Sequence, residues 1–467
     1  MSEKFDICVI GAGPGGYVAA IRAAQNGAKV AIVEKEYFGG TCLNWGCIPT
    51  KTLIASSEVL HKAKTAADFG IKIEGEISPD WAMMLGRKTS VVEKLRGGIG
   101  MLLKNAGVTS FTGSASFADR KSVNVVAADG KKEKVSADKF IIASGSEPAV
   151  PGFIPKSKRI ITSTELLSIS EIPKSLLVLG GGVIGCEFAC LFAELGTKVT
   201  VVEMMPNILP LQDKELSRIL SREMKAKGIE IFVGSPMGNI ESDGKSVSGV
   251  VGKEKLSAEY MLVSIGRVPV SKSLNLAAAG IAANEKGWIP VDTKCRTNVP
   301  GIFAIGDVTG RVQLAHFASA MGFCAADNAT GKSCEIREDL VPGCIFTSPE
   351  IGTVGLSEEQ CKEKNIVYNT GKFPFGALGK AMAINETSGF CKILADAATD
   401  QILGVHIVGP HATDLISEAV AAMSHEATAS SLGKAIHAHP TLGEAMMEAA
   451  HAVHGESVHM VSPRRHK

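Results

Sequence analysis

The chain lacks an excess of charge of either sign: 49 Lys and Arg stand against 48 Asp and Glu, for a formal net charge of +1. Nucleic-acid binders use a long-range positive field, and none is available here. The start of an exported protein is also missing. Residues 1–4, MSEK, run straight into an apolar segment at 5–10, with no basic region, h-region, cleavage site or Arg- and Ser-rich transit segment. A cytoplasmic location is therefore expected. No clean membrane span is visible. The apolar run 176–195 has the length, but Gly180, Gly181, Gly182 and Gly185 with Glu187 and Glu194 interrupt it and suit a strand–turn–helix. An even, closely spaced cysteine set is absent too. The 11 cysteines are scattered over 467 residues, which argues against a structural disulfide framework. Hydrophobic residues at 45% exclude disorder. What the chain has in plenty is glycine, 50 residues, above the roughly 7% of an average chain. No collagen-like period accompanies them, so tight turns and close backbone approaches are their use.

The glycines organise an internal repeat. DICVIGAGPGGYVAAIRAAQNGAKVAIVEK begins at Asp6, and SLLVLGGGVIGCEFACLFAELGTKVTVVEM begins at Ser175. Gly11, Gly13, Gly16, Gly27 and Glu34 recur 169 positions later as Gly180, Gly182, Gly185, Gly196 and Glu203. Each copy reads as an apolar strand, a G-x-G-x-x-G turn, an amphipathic helix and a second strand ending in Glu. The first Gly allows the tight turn, the second lets the backbone approach a pyrophosphate, and the third lets helix pack on strand. Amides at the helix N-terminus hold the anion. The carboxylate 21 residues past the middle Gly in both copies suits a ribose diol. One such turn is weak evidence; two in register imply two dinucleotides. Glu203 is followed by Met204 and Met205 with no Arg for a 2′-phosphate, so the second site favours NAD over NADP. The first site, by fold analogy, suits FAD.

After the first copy comes GGTCLNWGCIPTK, residues 39–51. Cys42 and Cys47 lie five apart, and in a regular helix positions i and i+5 point about 140° from each other. A bond between them needs an irregular turn, which Gly46 and Pro49 make plausible. Cys47 falls near an expected helix start, where the dipole favours a thiolate, and Lys51 adds a cation one turn on. Two buried thiols are the plain reading of an arbitrary pair, and a Cys-x4-Cys metal pair is a weaker one. Beside a flavin fold a redox dithiol becomes the favoured reading, because both partners carry two electrons.

Ordered motifs along essentially the whole chain carry a resemblance. They are GAGPGG near the start, GGTCLNWGCIPTK, IIASGSEP at 141–148, GGGVIGCEF at 180–188, SIGRVP at 264–269, TNVPGIFAIGDV at 297–308, FTSPEIGTVGLSEE at 346–359 and HAHPTLGEA at 437–445. In these the chain resembles the pyridine nucleotide–disulfide oxidoreductases, and within them the branch that oxidises dihydrolipoamide. The resemblance implies FAD on the first copy, with Gly11, Gly13, Gly16 and Glu34 binding it. Lys51 would lie near the flavin, with Ala143, Ser144 and Gly145 beside it and Asp307 on the ribityl chain. Gln313, Leu314, Ala315 and His316 would pass close to the ring. NAD would use Gly180, Gly182, Gly185, Glu203 and Gly266, and Glu187 would pair with Lys51 where nicotinamide stacks. His439, biased to an extended conformation by Pro440, would act as acid–base with Glu444 behind it, reaching the Cys42–Cys47 disulfide of the opposite subunit.

The expected fold is α/β: two Rossmann-like dinucleotide-binding domains and a C-terminal α+β dimerisation domain. Its four regions are FAD binding at 1–147, NAD binding at 148–268, a central stretch completing the FAD site at 269–338, and an interface domain at 339–467. The segment 391–409 reads as antiparallel strands around a turn, and helical patterns follow it. The expected reaction is oxidation of protein-bound dihydrolipoamide by NAD⁺. Expected partners are a second copy of the chain and the lipoyl and subunit-binding domains of an E2 acyltransferase, or a glycine cleavage H protein. Neither nucleic acid nor membrane is among them. No metal site is expected, because His437, His451, His454 and His459 are irregularly spaced with no Cys nearby. The nine other cysteines are read as small core residues. Trp45, where a smaller aliphatic residue is expected, either narrows the thiol pocket or packs. A glutathione-type reductase is the first rival, disfavoured by Glu203. A mercuric reductase wants a C-terminal cysteine pair that VHMVSPRRHK does not contain. A docking subunit of a multienzyme complex is a rival from a different class.

Overall fold

The computed structural model describes residues 4–461; Met1, Ser2 and Glu3 of the MSEK start, and the last six residues of the VHMVSPRRHK end, lie outside them. The chain divides into two compact units. One gathers the residues up to Phe153 with Thr162–Glu171 and Ile265–Arg337, and the other gathers Ile154–Ile161, Ile172–Ser264 and the residues from Glu338 on. The expected flavin and central regions thus fall mainly in the first unit, and the NAD and interface regions mainly in the second.

In the first unit the strand Lys4–Ile10 pairs in parallel with Val30–Glu34 on one side and with Lys132–Ile142 on the other. Thr109–Thr112 extends the sheet beyond Val30–Glu34, and Ile302–Ala304 runs parallel to the end of Lys132–Ile142. The antiparallel strands Ser114–Asp119 and Ser122–Val126 complete it. Parallel strands covered on both faces are apolar throughout. Accordingly Phe5, Cys8, Ile10, Ala31, Val33, Phe140, Ile142 and Ile302 share one core. The helix Pro14–Gln25 packs against the helix Ala315–Ala329 closely enough that a Cβ on Gly322 would lie 2.5 Å from the Gly15 carbonyl oxygen.

The second unit repeats the parallel theme. Its sheet runs Glu230–Val233, Lys198–Glu203, Ser175–Leu179, Tyr260–Val263 and Ile160–Ile161, all parallel. The run that had the length of a membrane span is the strand Ser175–Leu179, a turn and the helix Val183–Glu194; among the described residues no helix is long and apolar enough to cross a membrane. A five-stranded antiparallel sheet follows, in the order Gly343–Ile345, Glu350–Gly355, Ile402–Gly409, Phe390–Asp396, Tyr368–Pro374. Its central hairpin is the one read from 391–409. Helices Ala412–Ser424 and Glu444–Val453 share its core through Ile416, Ala419, Ala445 and Ala449.

Candidate active site

The two glycine turns have the same construction. Gly11 and Gly180 sit at φ +97° and +107°, a region that L side chains rarely adopt. A Cβ on Gly16 would lie 1.9 Å from the Gly11 carbonyl oxygen, and one on Gly185 would lie 2.0 Å from the Gly180 oxygen. The middle glycines behave differently. Both are N-caps with ordinary extended backbone, and a Cβ would meet only Gly40 Cα at 3.9 Å from Gly13 and nothing within 4 Å from Gly182. The space they leave lies at a helix N-terminus, as a pyrophosphate requires.

Glu34 and Glu203 do more than await a ribose. One oxygen of Glu34 accepts from the Ala12 amide at 2.7 Å and the other from the Glu36 amide at 3.0 Å. Glu203 accepts from Gly181 and Met205, both at 2.8 Å. Each carboxylate ties its own strand end to its glycine turn and keeps further lone pairs for a ligand. Met204 and Met205 are exposed beside Glu203.

The cysteine pair straddles a helix break. Cys42 belongs to the short helix Gly40–Trp45, and Cys47 is the first residue of the 18-residue helix Cys47–Lys64. Gly46 between them takes φ −141° and ψ −113°, and a Cβ there would lie 3.0 Å from the Thr41 carbonyl oxygen. This break brings together two side chains that a continuous helix would point apart. Both residues are free thiols in this structure. The neighbouring Cys47 thiol and burial push the Cys42 thiol up, while the Lys51 charge opposes them. The preceding turn is clamped. Asn44 donates to the Phe38 and Gly40 carbonyls at 3.1 and 2.9 Å and accepts from Arg96 at 2.8 and 3.0 Å. Arg96 lies 3.9 Å over the Tyr37 ring, and the Tyr37 and Trp45 rings meet at 6.0 Å, tilted by 55°. Trp45 therefore packs into this clamp.

Three further parts of the first unit meet around the expected flavin site. Ser144 carries a buried hydroxyl with no partner, and Gly145 next to it, at φ +74°, faces open space. Buried polar atoms are seldom left unpaired, so this turn suits a polar ligand; with the open Gly13 cradle, the residues fit a flavin dinucleotide. Asp307 accepts from the Ser146 hydroxyl at 2.5 Å. Arg267 donates to the same hydroxyl at 2.6 Å and to the Ser146 carbonyl at 2.7 Å, and its Nε stands 3.7 Å from Asp307. Burial lowers the Arg267 pKa, opposed by the charges of Asp307 and Cys47. Sequence reasoning singled out Gly266 and passed over its neighbour Arg267 and over Ser146. Gly266 itself falls in the first unit, where its carbonyl accepts from the Ala149 amide at 2.9 Å. Gln313, Leu314, Ala315 and His316 lead into the helix Ala315–Ala329, Leu314 being its N-cap.

In the second unit, Glu187 is buried on the helix of the second glycine turn, and one of its carboxylate oxygens accepts from the Phe346 amide at 3.0 Å. Lys51 stands in the first unit. His439 and Glu444 meet: Nδ1 lies 2.9 Å from a carboxylate oxygen, with the imidazole largely exposed. Burial raises the Glu444 carboxyl, but the hydrogen bonds from His439 and the Thr441 amide outweigh it and the net shift is downward. Three histidines of the His-rich end hold carboxylates of their own: His437 with Glu418 at 2.7 Å, His454 with Asp400 at 3.1 Å and His459 with Glu448 at 2.7 Å. The nine further cysteines are not all isolated. Cys324 donates to the Cys334 carbonyl at 3.2 Å, and the neighbouring Cys295 thiol helps push its own thiol up, a grouping that scattered positions did not announce.

Comparison with known proteins agrees with this geometry. Residues 5–322 match the family described as pyridine nucleotide-disulphide oxidoreductase, and residues 341–450 match the dimerisation domain of the same family. A dihydrolipoyl dehydrogenase from Chlamydia muridarum is 43% identical over 469 residues, covering 100% of both chains. Among solved structures, LpdA from Mycobacterium tuberculosis superposes with a TM-score of 0.89 at 28% identity, covering 95% of this chain and 99% of that one. The HOCl-induced flavoprotein disulfide reductase RclA from Escherichia coli, as its Cu(II) complex, gives 0.87 at 28% identity over 96% and 99%.

Proposed function

Since the chain belongs to the pyridine nucleotide–disulfide oxidoreductase family, we propose that it oxidises protein-bound dihydrolipoyl groups with NAD⁺ through a Cys42–Cys47 disulfide. Its cofactors are FAD and NAD, and the dimerisation domain at 341–450 makes it a homodimer. The observation that carries the reading is the helix break at Gly46, which sets Cys47 on a helix N-terminus and lets it act directly on the Cys42 thiol.

Roles follow from the geometry. Glu444 occupies Nδ1 of His439, which leaves Nε2 to take a proton from the substrate thiol. The substrate thiolate forms a bond to Cys42 Sγ as the Cys42–Cys47 bond breaks. Cys47 leaves as a thiolate, stabilised by the helix N-terminus and by Lys51. Attack by the second substrate thiol on the mixed disulfide releases the cyclic disulfide product and leaves Cys42 and Cys47 reduced. FAD held there would supply a two-electron acceptor for the Cys42–Cys47 dithiol, whose disulfide re-forms, and a hydride donor for NAD⁺. Gly11, Gly13, Gly16, Glu34, Ala143, Ser144, Gly145, Asp307 and residues 313–316 hold FAD in this reading. Gly180, Gly182, Gly185, Glu203 and Gly266 hold NAD, with Glu187 and Lys51 at the nicotinamide. His439 serves the disulfide of the partner subunit, so the dimer is the working unit.

The four-region division, the lipoyl domains and subunit-binding domain of an E2 acyltransferase (or a glycine cleavage H protein) as partners, and a cytoplasmic location belong to the same proposal. Eleven cysteines suit a reducing compartment. Cys47→Ser tests the core of it. The variant should keep its FAD and lose dihydrolipoamide–NAD⁺ turnover by on the order of 10⁴-fold. Full turnover by a flavin-loaded Cys47→Ser protein would overturn the reading.

A further inference from the structure

The helix Glu444–Val453 carries two carboxylates one turn apart, and both are built alike. Glu444 gives one oxygen to His439 Nδ1 at 2.9 Å and the other to the Thr441 amide at 2.9 Å. Glu448 gives one oxygen to His459 Nδ1 at 2.7 Å and the other to the Ser457 hydroxyl at 2.6 Å and the Val458 amide at 3.3 Å. Both imidazoles are exposed, with His439 at 77% and His459 at 69% of side-chain surface, while Glu448 beneath the second is 2% exposed. Residues four apart on a helix are neighbours on one face. The second pair therefore stands beside the first.

We propose that His459 is a positioning residue of the acid–base station: held by Glu448, it sets a second imidazolium beside the Glu444 carboxylate and thereby tunes the pH at which His439 becomes a base. This inference rests on the reading of His439 as the acid–base group.

The electrostatics have a definite sign. The hydrogen bond to Glu448 and its charge raise the His459 pKa, with the Glu444 charge adding to them against a small desolvation penalty. His459 therefore carries more positive charge near neutrality than an ordinary histidine does. The Glu444 carboxylate feels His439 and His459 together. Among the described residues, the remaining charged neighbours of the station are His437, whose ring lies against the Gly443 turn, and its partner Glu418. A positive His459 competes for the Glu444 carboxylate and disfavours a second positive charge on His439. Removing it makes His439 easier to protonate, so the base form is lost at a higher pH.

The test is the pH profile of kcat/KM for dihydrolipoamide oxidation by the flavin-loaded dimer. In His459→Gln the acidic limb should move to higher pH by about three tenths of a pH unit, the size expected for a screened charge near the surface. His459→Lys, which keeps a cation at every assay pH, should leave the limb at or below its original position. A His459→Gln profile that superimposes in shape and is only uniformly lower would overturn the inference, since a tail staple alone does that. An equal shift in both variants would overturn it too. His439→Gln separates the two levels: if it retains full rate and the same limb, the reading of His439 itself fails. If it loses turnover while His459→Gln leaves the limb unmoved, only the role of His459 fails.

Discussion

The two glycine turns share their backbone to within about 10°, yet their surroundings differ. The first is buttressed. A Cβ on Gly15 would lie 2.7 Å from the Ala318 carbonyl oxygen, and a Cβ on Gly40 would lie 2.6 Å from Gly13 Cα. Arg22 and Asn26 at the end of its helix bind Asp327 on the buttress, each at 2.8 Å. At the second turn no segment among the described residues stands over the middle glycine, where a Cβ would meet nothing within 4 Å, and exposed methionines lie beside its carboxylate. Its helix is buried from Gly185 to Phe192, while Val183 at its start is exposed. In the proposed reading the same local chemistry serves a cofactor that stays and a coenzyme that exchanges, and the packing around it makes the distinction.

Gly322→Ala attacks the buttress directly. The new methyl would lie 2.5 Å from the Gly15 carbonyl oxygen and must push the two helices apart, a cost of about 1–3 kcal/mol for overpacking. FAD should dissociate on dilution from this variant while NADH affinity in the second unit is unchanged; parallel flavin-release and NADH titrations check both halves. The braces come next. Glu203→Gln keeps an acceptor for only one of its two amides, and losing one such bond costs about 1 kcal/mol. The KM for NAD⁺ should rise several-fold. In Glu34→Gln the same loss should appear as weaker FAD retention, with kcat restored by added FAD. Met204→Arg sharpens the contrast on the coenzyme side by placing a cation where a 2′-phosphate would lie. The ratio of kcat/KM for NADP⁺ over NAD⁺ should rise about tenfold, still favouring NAD⁺ while Glu203 stands.

The smallest effect concerns acid. The hydrogen bond from Arg22 holds the Asp327 carboxyl below its ordinary value against a weaker burial term. A depressed folded value contributes stability at pH above the unfolded value, and that contribution is lost as pH falls through the folded one. The Asp327 side chain keeps only 17% of its surface exposed, so Asp327→Asn should cost on the order of 1 kcal/mol near neutrality. The difference from the parent protein should vanish in acid, which thermal melts at two pH values will show.

Much of this was legible because it is local. A G-x-G-x-x-G turn, a glycine between two cysteines and a histidine five residues before a glutamate announce themselves by spacing, and the structure brings each together. The rest depends on distance along the chain. Ser146 meets Arg267 across 121 positions and Asp307 across 161, so no window of sequence joins them. Lys392 is 1% exposed among Asp213, Glu215 and Glu358 at 2.7, 3.1 and 2.9 Å, yet its own strand reads as an apolar run with one misplaced charge. Trp45 looked like a departure at the active cysteines, and its explanation is an aromatic partner at Tyr37 with Arg96 beyond. Glu34 and Glu203 were recognised for a ligand, whereas their work as braces needed the amides to be placed in space.

The division of labour between the two turns is tested most directly by one pair of variants, Gly16→Ala and Gly185→Ala. In each, a methyl must enter within about 2 Å of a carbonyl oxygen, so each closes one turn alone. FAD content after gel filtration and an NADH binding titration are read on both. The account predicts that Gly16→Ala emerges without flavin, and that Gly185→Ala stays yellow with one FAD per chain and binds NADH at least tenfold more weakly. Flavin lost from Gly185→Ala but kept by Gly16→Ala would contradict it.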